Sequence, residues 1–175
     1  PNPLVGAVVV DAQGGFIQAG HHEFYGGPHA EVNALKNLEV EQLREATVYV
    51  SLEPCAHEGK TPSCAKMLAQ LPLKKVIFCL IAPNPLVAGQ GAEILRKAAI
   101  ESEEFSPHHA GSEYDSIKRE LEKVCEAFLW NFKNKKVFVG LKLATSIDGK
   151  LGLHQGPSGW ITGEESRKHV HYLRS

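Results

Sequence analysis

The sequence predicts an α/β layered protein with a central sheet. Apolar, β-branched runs recur at 4–10, 47–52, 76–82 and 137–144, each bounded by Gly, Pro or charged residues, the pattern of buried strands. Helical spacing fills the intervals, so strand and helix alternate along the chain.

Taken in order, the first run precedes Pro28, which opens a helix over 30–38 with Val32, Ala34, Leu35 and Leu38 on its buried side. Strand 47–52 leads to a helix over 64–71, and strand 76–82 to another over 92–99. Gly89-Gln-Gly91 before that helix lacks the third glycine of a dinucleotide fingerprint and reads as a loop and helix start. From 113 to 132, Ile117, Leu121, Val124, Cys125, Phe128 and Phe132 fall at helical intervals, predicting one long amphipathic helix with Cys125 in the core. His108 and His109 before it are expected as solvated loop residues. The cationic run 131–136 marks a boundary: residues 1–132 form the first domain, and 133–175 a linker and the truncated start of a second, since about 40 residues cannot enclose a core.

Composition narrows the function classes. Nineteen Lys and Arg against 20 Asp and Glu give a net charge of −1 over 175 residues, so no basic field attracts nucleic acid. No apolar run reaches the roughly 20 residues that span a bilayer and no signal peptide is evident, so a soluble, cytoplasmic protein with no membrane partner is expected. The chain opens with Pro1 rather than Met, and upstream residues are expected to be missing. Four cysteines are too few for a disulfide scaffold and are better tested as metal ligands.

The informative group is His29-Ala-Glu31 with Glu53-Pro-Cys55 and, after eight further residues, Cys64. One imidazole and two thiolates give zinc three protein bonds and leave a fourth position open, a catalytic arrangement. Helix starts aimed at the site favour thiolate over thiol. Glu31 beside the metal then serves as acid/base. His-x-Glu and a distant cysteine pair are each weak signals alone; together they match the zinc deaminase pattern. Cys79 and Cys125 sit inside apolar patterns and are set aside as ligands.

Pro1-Asn2-Pro3-x-Val5-Gly6, Gly20-x-His22, Pro28-His-Ala-Glu-Val32, Glu53-Pro-Cys55, Lys60-Thr-Pro62 and Asn84-Pro85-x-Val87-x-Gly89-x-Gly91 closely resemble the deaminase domain of the bifunctional RibD riboflavin-biosynthesis family. Leu141-Lys-Leu-Ala144, Ser146-x-Asp148-Gly149-Lys150 and Trp160-Ile-Thr162 resemble the start of that family's reductase domain. The resemblance implies a three-layer α/β/α cytidine deaminase-like fold with a central mixed sheet, lacking the family's first helix. It implies removal of the 2-amino group from 2,5-diamino-6-ribosylamino-4(3H)-pyrimidinone 5′-phosphate, by attack of zinc-activated water on the ring carbon. It assigns Zn2+ to His29, Cys55 and Cys64, proton transfer to Glu31, and substrate contacts to Asn2, His22, His57, Lys60 and, less directly, Asn84. Lys60 also admits a plain reading as a solvated loop residue. NADPH belongs to the reductase domain, most of which is absent, so no reductase activity is expected. A small-molecule partner and a homo-oligomer are implied.

Three positions depart from the family pattern: Ala56, Ser63 and Ala82 stand where Ser, Pro and Asp are commoner, which bears on substrate positioning rather than on the metal. A deaminase of nucleosides or of a tRNA base, and a noncatalytic zinc-stabilised domain, are the competing readings. The long cysteine interval opposes the former and retention of Glu31 the latter.

Overall fold

A computed structural model describes residues 3–59, 61–84, 87–152 and 159–172. Asn2 and Lys60 lie outside the described residues. The chain divides into two compact units, Pro1–Val137 and Phe138–Ser175.

The first unit is built on a five-stranded mixed sheet in the order β2-β1-β3-β4-β5. Strands β1 (Gly6–Val10) and β2 (Phe16–His21) form an antiparallel hairpin, and β1 pairs antiparallel with β3 (Thr47–Leu52). Strands β4 (Lys75–Leu80) and β5 (Glu101–Glu104) extend the sheet in parallel. The hairpin turn is held by Asp11, whose Oδ1 accepts from the N–H groups of Gln13 and Gly15 at 2.9 and 2.7 Å.

Alternation along the strands sorts the two faces. Ala7, Val9, Val48, Val50, Val76 and Phe78 form one buried cluster with Ala30 and Ala34 of α1 (Ala30–Leu35), Leu68 of α2 (Cys64–Leu68) and Ala92 and Leu95 of α3 (Gln90–Lys97). Ile77 and Cys79 point the other way, and α5 (Tyr114–Val124) packs against β4. Helices therefore cover both faces. Gly20 on β2 lets α1 approach closely: a Cβ there would sit 2.2 Å from the Ala34 nitrogen.

Several expectations are corrected. β2 and β5 are strands that the apolar pattern misses, because both are edge strands and β5 reads Glu-Ser-Glu-Glu. The long helix over 113–132 is two helices, α5 and α6 (Glu126–Asn134), broken at Cys125, whose φ of −95° and ψ of 7° leave the helical region. Cys125 is buried as expected, with its thiol donating to the Leu4 carbonyl at 3.4 Å. His109 is not a solvated loop residue. It lies in α4 (Pro107–Ala110), accepts from the Ser106 N–H at 3.0 Å, stacks on Phe105 and reaches Glu103 at 3.1 Å.

Residues 137–144, all but Val137 in the second unit, form no strand. Val139 and Leu141 are exposed, because no described strand of that unit lies beside them to complete a ladder. A turn at Ser146–Lys150 is closed by Ser146 N–H to the Lys150 carbonyl at 2.9 Å. Helix α7 (Glu164–Tyr172) follows, with the Arg167 guanidinium over the Trp160 ring at 4.6 Å.

Candidate metal centre

Three elements of the first unit converge. His29 is the N-cap of α1, in extended conformation, so its ring leaves the helix axis while Ala30, Glu31 and Ala34 are buried. Cys55 follows the end of β3, and Cys64 is the first residue of α2. One ligand atom from each lies within 4.8 Å of the other two. His29 Nδ1 is 3.6 Å from Cys55 Sγ and 3.2 Å from Cys64 Sγ. Bonds of zinc to nitrogen and sulfur in a tetrahedron place such atoms roughly 3.6 Å apart, so the donor set and its spacing fit that ion.

Local hydrogen bonds hold the two sulfurs in register. The Cys64 N–H donates to Cys55 Sγ at 3.3 Å, and the Ala65 N–H to the Cys55 carbonyl at 3.1 Å. Ser63, a departure from the family pattern, serves twice: its hydroxyl donates to the Cys55 carbonyl at 2.8 Å and accepts from the Lys66 N–H at 3.2 Å as the cap of α2. Thr61 Oγ1 lies 3.1 Å from His29 Nε2. With the hydrogen on Nε2 donated to that oxygen, Nδ1 presents its lone pair to the sulfurs, the arrangement by which an outer partner orients a metal-binding imidazole. Thr61 carried no signal beyond its place in Lys60-Thr-Pro62.

The electrostatics follow from proximity and burial. A hydrogen bond from Cys64 holds the Cys55 thiol down to about 4, while that same bond and burial push Cys64 far up. The pair thus shares one proton. The hydrogen bond with Cys55 raises His29 against the opposing cost of burial. Glu31 is 3% exposed, and burial raises its carboxyl above the ordinary range.

A cavity of about 270 Å³ opens onto this group. Glu31, His29 and Cys55 lie on its wall with His22, His57 and Asn84, alongside Ala56, Ala82, Phe128 and Phe132. A second recess of about 250 Å³ shares His22, His29, Cys55 and His57 with it and adds Tyr25 and Thr61. His22 donates from Nδ1 to the Pro28 carbonyl at 2.9 Å, fixing its ring edge-on to His29. The structure thus brings together His22, His29, Glu31, Cys55, His57, Cys64 and Asn84.

Residues 1–80 match the cytidine and deoxycytidylate deaminase zinc-binding region, and residues 137–175 the RibD C-terminal domain. The riboflavin biosynthesis protein RibD of Aquifex aeolicus is 41% identical over 99% of this chain and 46% of its own length. That of Escherichia coli K12 is 36% identical over 100% and 44%. The chain belongs to the RibD family. Among solved structures, RibD of Acinetobacter baumannii superposes with a TM-score of 0.81 at 40% identity, covering 99% of this chain and 46% of that one. A diaminohydroxyphosphoribosylaminopyrimidine deaminase/5-amino-6-(5-phosphoribosylamino)uracil reductase of Thermotoga maritima does so with 0.79 at 40%, covering 99% and 47%. The chain therefore spans less than half the length of the RibD proteins it matches, and its sheet is that of a cytidine deaminase-like domain. No helix of the described residues is long and apolar enough to cross a membrane.

Proposed function

We propose that the first unit is a zinc-dependent hydrolytic deaminase acting on 2,5-diamino-6-ribosylamino-4(3H)-pyrimidinone 5′-phosphate. Water replaces the 2-amino group, ammonia leaves, and the ring carbon becomes the carbonyl of 5-amino-6-ribosylamino-2,4(1H,3H)-pyrimidinedione 5′-phosphate. The observation that carries the reading is a buried carboxyl, Glu31, beside a His/Cys/Cys group on the wall of one cavity. His29, Cys55 and Cys64 would hold zinc, which when bound supplies the Lewis acidity that makes water a nucleophile near neutral pH.

The chain's own residues do the rest. Glu31, raised by burial, is poised to carry both protons of the attacking water, the first to the ring nitrogen as the carbon–oxygen bond forms and the second to the amine as the carbon–nitrogen bond breaks. The apolar cavity wall, Phe128 and Phe132 included, limits competing water around the ring. His22, His57 and Asn84 line the space for ring, ribose and phosphate, with Asn2 and Lys60 as further substrate contacts by sequence position.

We assign the deaminase domain to 1–132, with 133–175 as linker and start of the reductase, the part for which NADPH is the cofactor. A cytoplasmic location is supported by four free thiols. A homo-oligomer is the remaining proposal, checked by light scattering. The deciding experiment is ammonia release from the pyrimidinone by zinc-loaded protein, with cytidine and guanine alongside. Glu31→Ala is expected to keep its zinc and lose at least about 100-fold in rate. Turnover of cytidine instead, or an unaltered rate in the variant, would sink the assignment.

A further inference from the structure

Glu53 has no place in the chemistry above, yet it is a carboxylate only 5% exposed. It sits two residues before Cys55, just past the end of β3, where its own N–H donates to the Leu80 carbonyl at 2.8 Å. Both carboxylate oxygens are committed. Oε2 accepts from the N–H groups of Ala82 at 3.4 Å and Gly89 at 3.0 Å, and Oε1 from those of Gly91 at 3.1 Å and Ala92 at 3.3 Å. These four donors bracket Asn84 on both sides in the chain. At the same joint Gly91 is seated so tightly on Pro54 that a Cβ would fall 2.0 Å from the Pro54 oxygen.

From this geometry we propose that Glu53 is a positioning residue, locking the Asn84-bearing wall of the cavity to the strand end that carries Cys55. The proposal rests on the cavity being the substrate pocket. Its physical basis is that an anion with two acceptor oxygens can gather four N–H groups that would otherwise be left without partners at the pocket wall. A glutamine has the same shape but one acceptor; its amide would face N–H donors with a donor. The lock also accounts for Ala82: residue 82 contributes its backbone N–H, so the wall is anchored without a polar side chain there.

Glu31 and His29 are carried by α1 and its N-cap, not by either of the segments that Glu53 ties together, so loosening the wall weakens substrate binding more than the chemical step. For Glu53→Gln we expect KM for the pyrimidinone ribosyl phosphate to rise roughly 10-fold with kcat within about threefold. Zinc content stays unchanged by elemental analysis. Amide hydrogen exchange at Gly89, Gly91 and Ala92 quickens about 10-fold or more while Val48 and Val50 stay protected. Gly91→Ala, which leaves the carboxylate intact and wedges the joint, is expected to show the same KM-only signature. Unchanged exchange at the three amides, exchange that rises equally in β3, or a kcat loss matching the KM change overturns the proposal. Should the parent protein release no ammonia from the pyrimidinone, the function reading falls and the exchange comparison alone decides whether Glu53 anchors the wall.

Discussion

Strand β3 and the segment 137–144 carry the same kind of sequence and meet opposite fates. Val48 and Val50 are 0% and 2% exposed, paired on one side with β1 and on the other with β4. Val139 and Leu141, in an equally apolar, β-branched stretch, are 82% and 80% exposed. An alternating apolar pattern states what a segment will do when neighbours supply ladder partners and a facing layer; it does not supply them. The same lesson applies at the metal centre, where Cys55 and Cys64 are held by neighbours whose roles the spacing of the cysteines does not reveal.

The comparison can be broken most directly by truncating one valine in each region. Val48→Ala should cost the first unit about 2 kcal/mol in urea denaturation, because the site is closed on all sides and collapses poorly. Val139→Ala should stay within roughly 0.5 kcal/mol. Equal effects would show that Val139 is packed as closely as Val48 in the folded protein.

The next effect concerns protons at the paired cysteines. Cys55 is already a thiolate near neutral pH, whereas Cys64, with its pKa raised by Cys55 and burial, holds its proton until a cation displaces it. Zinc binding at neutral pH should therefore release about one proton from the pair, besides any that His29 holds, and affinity should tighten at least about 10-fold per pH unit as pH rises. Titration of zinc into weakly buffered protein with a pH indicator measures this. Affinity independent of pH between 6 and 8, on the order of conditions where structural thiols bind zinc, would contradict the shared proton.

The smallest effect sharpens the role of the neighbours. Thr61→Val removes the oxygen beside His29 Nε2 and should weaken zinc about 10-fold in competition with a chromophoric chelator, while Thr61→Ser restores it.

What could be read from the sequence divides along the same line. Alternating apolar runs located β1, β3 and β4, and the spacing of His29, Glu31, Cys55 and Cys64 located the group that the structure draws together. β5 was illegible because an edge strand can be Glu-Ser-Glu-Glu and still satisfy its ladder through backbone groups. The break at Cys125 was illegible because the apolar face continues in phase across it. The hydrogen bonds of His109, Thr61 and Glu53 were illegible for a common reason. Each residue acts through a hydrogen bond to a partner that only the fold brings near, and no period or composition records such a bond.

The chain between the two cysteines leaves and returns through one tight base, where Ser63, Cys64 and Ala65 all bond to Cys55. Residues 56–62 are in effect a closed loop tied at its neck. Because closing such a loop costs free energy that grows only slowly with length, residues can be inserted or removed in the bulge while the neck keeps both sulfurs where they are. Evolution could then change what this loop, with His57 on it, presents to an incoming molecule without rebuilding the metal centre beneath.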